Sequence, residues 1–138
     1  QDYDEFQNRP SNRMPPAGTV PRGFAPYKYS GYPLEAEARL ANPLSGAKFN
    51  DSLVRGKDRY QVYCSMCHGA GAQGDGPVAQ YMPLRPPSLL TDKIRTFKDG
   101  RIYHIITDGQ GLMANYATQI HKEEDRWAIV NYIRSLQK

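Results

Sequence analysis

Apolar positions recur at helical spacing in three stretches of the second half of the chain. Leu53, Gly56, Tyr60, Tyr63 and Cys67 fall on one face of a first helix predicted from Ser52 to about Cys64, with Asn50 or Asp51 as its N-cap. Gly56 in mid-helix costs stability relative to alanine, so a glycine on the buried face points to a close helix crossing. Ile102, Ile105 and Ile106, at i, i+3 and i+4, predict a helix that Asp99 caps and Gly109 ends. Between these two, residues 91–97 form a short segment of their own. Glu123, Glu124 and Asp125 open a last helix, where the macrodipole favours negative charge, and Ile129, Tyr132, Ile133 and Leu136 make its apolar stripe. No window alternates apolar and polar residues as a half-buried strand would, and no repeat is present, so residues 49–138 read as one all-α domain.

Residues 1–48 have a different pattern. They hold seven of the eleven prolines, so neither a helix nor a central strand can run far. Only residues 34–40 are helical in pattern, for about two turns. Phe6, Phe24, Tyr27, Tyr29 and Tyr32 set this stretch apart from a plain linker. They predict an extended docking arm that buries its aromatics on a partner or on its own domain. Proline and polar content taken alone give the other reading, a disordered linker.

Length and charge narrow the possibilities without naming a function. The 138 residues hold one domain and its arm. No apolar run approaches the roughly 20 residues that cross a bilayer. Gln1-Asp2-Tyr3-Asp4-Glu5 is unlike a signal peptide, so an exported protein is expected to have lost its targeting segment. The formal charge of +4 comes from 18 basic and 14 acidic residues that are dispersed. The two local groups, Arg55, Lys57, Arg59 and Lys93, Arg95, Lys98, Arg101, read as solvated surface, and no nucleic-acid partner is expected.

The chemistry concentrates at Cys64-Ser65-Met66-Cys67-His68. Two thiols three positions apart at the end of a helix can add to the two vinyl groups of one haem, and the adjacent histidine then lies under the iron as the proximal ligand. A redox dithiol would open a helix after a strand, whereas this pair follows a helix. A zinc site would need further ligands, and His104 and His121 lack the spacing to supply them. Plain buried cysteines would not require the histidine. The following Gly69-Ala70-Gly71-Ala72-Gln73-Gly74 matches the dinucleotide-binding pattern letter for letter but lacks the strand before it and the helix after it. Its glycines are expected to let a tight loop pass close to the haem edge.

For the second axial position, Met66 lies inside the attachment loop and Met82 is too close in sequence to cross the haem plane. His104 reads as a packed or surface histidine, and His121 as a cap ahead of the last helix. Met113, in a loop between two helices, is the expected distal ligand; its alternative is a core-filling methionine. The Pro86-Pro87-Ser88-Leu89 turn offers the Pro87 carbonyl to the outer ring N–H of His68, or else only steers the chain.

With these residues the sequence resembles the class I cytochromes c over residues 52–138: Gly56 and Tyr60, Cys-x-x-Cys-His, Pro87 and Leu89, Met113, Ile129 and Tyr132. The resemblance implies a small helical bundle around one covalent haem c. It also implies first and last helices crossing near the glycine, cofactor contacts from Cys64, Cys67, His68, Pro87, Leu89 and Met113, and no catalytic residue. The usual Met-Pro pair is Met113-Ala114 here. Residues 55–60, Gly74-Asp75-Gly76, residues 99–103 and 125–130, and Gly18-Thr19-Val20-Pro21-Arg22-Gly23 further resemble the monohaem cytochrome c subunit of bacterial alternative complex III. That family implies an electron-transfer subunit with no substrate chemistry of its own. It would sit on the periplasmic side of the inner membrane, take electrons from a multihaem cytochrome subunit, and pass them to an oxidase or a soluble carrier. Family members are often lipid-anchored; any such anchor would precede Gln1. A free periplasmic carrier and a ligand-binding haem sensor are the alternatives, separated by behaviour without detergent and by carbon monoxide binding.

Overall fold

The computed structural model describes residues 16–20 and 25–138. Phe6 and Phe24 of the arm, and residues 21–23 of its family-like stretch, lie outside the described residues. The described residues form six helices: α1 (Pro33–Arg39), α2 (Lys48–Tyr63), α3 (Ser65–His68), α4 (Asp92–Arg95), α5 (Asp99–Asp108) and α6 (Glu123–Leu136). A 3₁₀ turn spans Ala79–Tyr81. Among the described residues the only strand-like pairing is an isolated bridge between Gln110 and Met113.

The first and last long helices make the most extensive contact in the molecule. Ser52, Gly56 and Tyr60 form the buried line of α2. At the crossing a Cβ on Gly56 would lie 2.1 Å from the Ala128 carbonyl oxygen, so only glycine lets the two backbones approach this closely. Beside it, Tyr60 packs on Tyr132 with ring centroids 5.2 Å apart. Arg55 of α2 grips Asp125, in the first turn of α6, through two hydrogen bonds of 2.8 and 2.7 Å.

Three helix starts differ from expectation. Helix α2 begins at Lys48, a turn earlier than the pattern suggested, and neither Asn50 nor Asp51 caps it. Ser52 is turned inward instead: its hydroxyl donates to the Phe49 carbonyl (2.7 Å) and accepts from the buried amide of Asn131 on α6 (2.8 Å). Asp99 is the first residue of α5 rather than its cap. Its carboxylate accepts from Arg134 and from Asn42, both at 2.8 Å, so tertiary partners claim the group that local capping would have used. Lys122, not His121, occupies the N-cap position of α6. Gly109 ends α5 as expected, at φ +84°.

The second half of the arm is laid on the domain. Helix α1 packs on α5 with Ala36 fully buried, and Leu44 joins the core. Tyr27 shares a 3.0 Å hydrogen bond with Nδ1 of the buried His104. Asp108 accepts from Ser30 Oγ (2.7 Å) and from the Gly31 amide (2.8 Å). Asn42 donates to Asn131 (2.7 Å), whose own amide donates to the Leu44 carbonyl (3.0 Å). Of the arm's described aromatics, Tyr27 and Tyr29 are half-buried and Tyr32 faces outward.

Candidate functional site

Cys64 is the hinge of the site, closing α2 and opening the single turn of α3. The amides of Cys67 and His68 both donate to its carbonyl, at 3.2 and 2.9 Å, which sets Cys64, Cys67 and His68 on one tight turn. Both thiols are unpaired. Burial, with a further push from Cys67, drives the Cys64 thiol up to about 12. A redox dithiol needs the opposite shift, so the structure agrees with setting that reading aside.

The glycine-rich stretch has no strand before it; α3 precedes it and a loop follows. It wraps back and satisfies the carbonyls that α3 leaves free. Gly74, Gly76 and Val78 donate to His68, Cys67 and Met66 at 2.8, 3.1 and 3.1 Å, while Tyr60 Oη donates to Gly69 (2.9 Å). A Cβ on Gly74, which sits at φ +78°, would lie 2.3 Å from the Pro86 carbonyl oxygen. Its absence lets the Pro86–Pro87 turn press against the loop. The turn is held from both sides, because the Leu89 amide donates to Ala72 (2.8 Å) and the Leu89 carbonyl accepts from Gln137, just past the end of α6 (2.7 Å).

His68 ends the turn that begins at Cys64 and meets the proline turn at Pro87. Burial lowers its pKa, and the Pro87 carbonyl pulls the other way, as an acceptor close to the ring does. Nδ1 is buried and closes no hydrogen bond of normal length and angle. Burial thus favours the neutral form of the ring, and the Pro87 carbonyl opposes it.

Met113 is half-buried in a two-residue turn, where it exchanges backbone hydrogen bonds of 2.9 and 3.0 Å with Gln110. Tyr116, three residues on, is anchored by its amide to the Ile106 carbonyl (2.9 Å). Burial raises the Tyr116 pKa, and charge on Cys67 or Cys64 would raise it further, which places this ring near both thiols. Nothing in the sequence marks Tyr116, since a loop tyrosine has no periodicity. His104 is buried against Tyr27, and His121 is exposed in a loop.

The donor set fits a covalently bound haem. Two free thiols and an imidazole whose pKa burial lowers share one turn. Cys64, Tyr63, Leu89, Leu90 and Tyr116 are half-buried apolar groups packed on the core.

Helix order, the α2–α6 crossing at Gly56 and the attachment turn define the class I cytochrome c fold. The sequence pattern of the family described as cytochrome c oxidase, cbb3-type, subunit III matches residues 51–133, and the chain belongs to that family. A cytochrome c domain implies haem c and electron transfer. Among solved structures, a chain of the reducing HAO-like protein complex of Kuenenia stuttgartiensis is similar, at 26% identity and a TM-score of 0.58 over 72% of this chain. The match covers 50% of that chain's length. No curated protein matches.

Proposed function

We propose that the protein is a single-haem electron-transfer subunit of a membrane-bound, quinol-oxidising respiratory complex of the alternative complex III type. In this reading Cys64 and Cys67 would hold haem c through two thioethers, and His68 and Met113 would supply the iron's protein ligands. The observation that carries it is the half-buried His68, its Nδ1 buried, on the same turn as two unpaired thiols. Haem c supplies a one-electron couple. The chain's residues would hold and shield it: His68 would offer an imidazole nitrogen, Met113 a thioether that favours the ferrous state, and Leu89 and Tyr116 would exclude water.

The subunit reading draws on the sequence likeness to alternative complex III subunits and on the similar chain, which belongs to a protein complex. Val20, Tyr32 and Leu34, exposed on the arm and α1, supply apolar surface for a partner. The donor is a multihaem cytochrome subunit, the acceptor an oxidase or a soluble carrier, and the site of work the periplasmic face of the inner membrane.

A pyridine haemochrome titration is expected to return one haem c per chain; none would end the reading. Met113→Ala is expected to abolish the weak far-red sulfur-to-iron band of the oxidised protein. Purification in mild detergent is expected to bring down a multihaem cytochrome with the chain, whereas a monodisperse protein without partners would favour a free carrier.

A further inference from the structure

Residues 109–122 carry Met113 and Tyr116 and contain no helix, so their position depends on what ties them down. The ties at the first end are backbone bonds: Gln110 to Met113, and the Tyr116 amide to Ile106. At the far end the Ile120 side chain is buried in the core, and one polar side chain holds the backbone beside it. Arg126 Nη1 donates to the Ile120 carbonyl at 2.6 Å and reaches the His121 carbonyl at 3.4 Å. The Ile120 amide in turn donates to the Tyr116 carbonyl at 2.8 Å, so a hold on Ile120 is a hold on the turn that begins at Tyr116.

Arg126 has an unusual setting for a charged group. It is 5% exposed, and Glu123, the carboxylate paired with it, stands 4.0 Å away and is itself largely in solvent. Its remaining donors are taken by Tyr103 Oη, at 2.9 Å from Nη2 and 3.3 Å from Nε. Tyr103 is fixed by a stack on Trp127, with ring centroids 4.1 Å apart and planes 16° from parallel. Burying a guanidinium without a close buried carboxylate is costly, and an apolar residue of similar volume generally serves packing at least as well. What an apolar residue could not do is hold two loop carbonyls in place.

We propose that Arg126, braced by Tyr103, is the positioning residue for the axial-ligand loop, keeping the Met113–Tyr116 segment in a single place over the attachment turn. The proposal rests on the assignment of Met113 as distal ligand. Its consequence is a low population of the open, ligand-detached state, and binding of an external ligand to the iron scales with that population.

The test uses full-length holoprotein with Arg126→Lys, Tyr103→Phe and Met113→Ala. Carbon monoxide binding to the reduced form at neutral pH, the far-red band of the oxidised form and far-ultraviolet circular dichroism are measured on each. Arg126→Lys is expected to bind carbon monoxide about tenfold faster than the parent while keeping its haem and helix content, with a smaller gain for Tyr103→Phe. Variants that melt at lower temperature yet keep parental carbon monoxide binding and far-red band below the transition would show a purely structural role and overturn the proposal. Should Arg126→Lys fail to fold, Tyr103→Phe decides by the same criterion, because it removes only the hydroxyl. Met113→Ala distinguishes the two layers: an unchanged far-red band there overturns the ligand assignment itself, whatever the other two variants do.

Discussion

His68 illustrates how much of the site's chemistry depends on small displacements. Burial lowers its pKa, and the Pro87 carbonyl stands close enough to oppose that shift without closing a bond to Nδ1. What brings Pro87 there is the missing side chain of Gly74. Gly74→Ala would place a methyl group 2.3 Å from the Pro86 oxygen at a left-handed φ, so the turn must move away. The expected cost is about 1–3 kcal/mol in thermal or denaturant unfolding. An acceptor near the outer nitrogen raises the basicity of a ligating histidine, so its withdrawal is expected to move the midpoint potential upward in a potentiometric titration. An unchanged potential in a folded Gly74→Ala protein would mean that Pro87 does not tune His68.

Among the elements, the α2–α6 pair carries the most contact and depends on one atom being absent. A Cβ on Gly56 would meet backbone, the Ala128 carbonyl at 2.1 Å, and backbone in a helix cannot swing aside as a side-chain tip can. Gly56→Ala is therefore expected to destabilise by about 3 kcal/mol, the upper range for overpacking, despite alanine's better helix propensity. Urea unfolding checks the sign, because propensity alone predicts a gain. Ser52, Asn131 and Asp99 show the same priority of tertiary over local bonding. Each is a good capping residue that the fold uses to join elements instead.

On the scale of the molecule, residues 27–44 act as a strap across α5 and α6. Its latch is the Tyr27–His104 bond together with the Ser30 and Gly31 bonds to Asp108. Burial lowers the His104 pKa against the pull of Asp108. Burial pushes Asp108 up, but the Gly31 amide, the Ser30 hydroxyl and His104 together outweigh it and hold that carboxyl below its usual value. Both folded values are depressed, so both groups stabilise the strap fully above their unfolded pKa values and lose that contribution as pH falls. Loosening is expected to begin below about pH 6.5 through His104 and to continue below about pH 4 through Asp108. Hydrogen exchange at the Gly31 amide should report it, as falling protection on acidification beyond the intrinsic pH dependence. Deleting residues 1–48 removes Ala36, Leu44 and the latch together. It is expected to lower the melting temperature as well as any partner binding, so a truncation at residue 24 is the cleaner test of docking.

Several features are legible along the chain because they are local. Helical periodicity needs only neighbours a turn away, so the faces of α2, α5 and α6, and the glycine at the crossing, can be read from the sequence alone. Cys64, Cys67 and His68 are readable for the same reason, since one helical turn brings them together whatever the rest of the chain does. Helix starts depart from the sequence pattern where long-range partners take the capping groups. The Asn42–Asn131 and Tyr27–His104 bonds join residues 89 and 77 positions apart, and no sequence pattern carries that information. The lowered pKa of His68, the approach of Pro87, the place of Tyr116 beside the thiols and the grip of Arg126 on Ile120 are likewise products of packing. Adjacency in sequence determined which residues could meet a haem; burial, set only by the assembled helices, decided their protonation and what holds them in place.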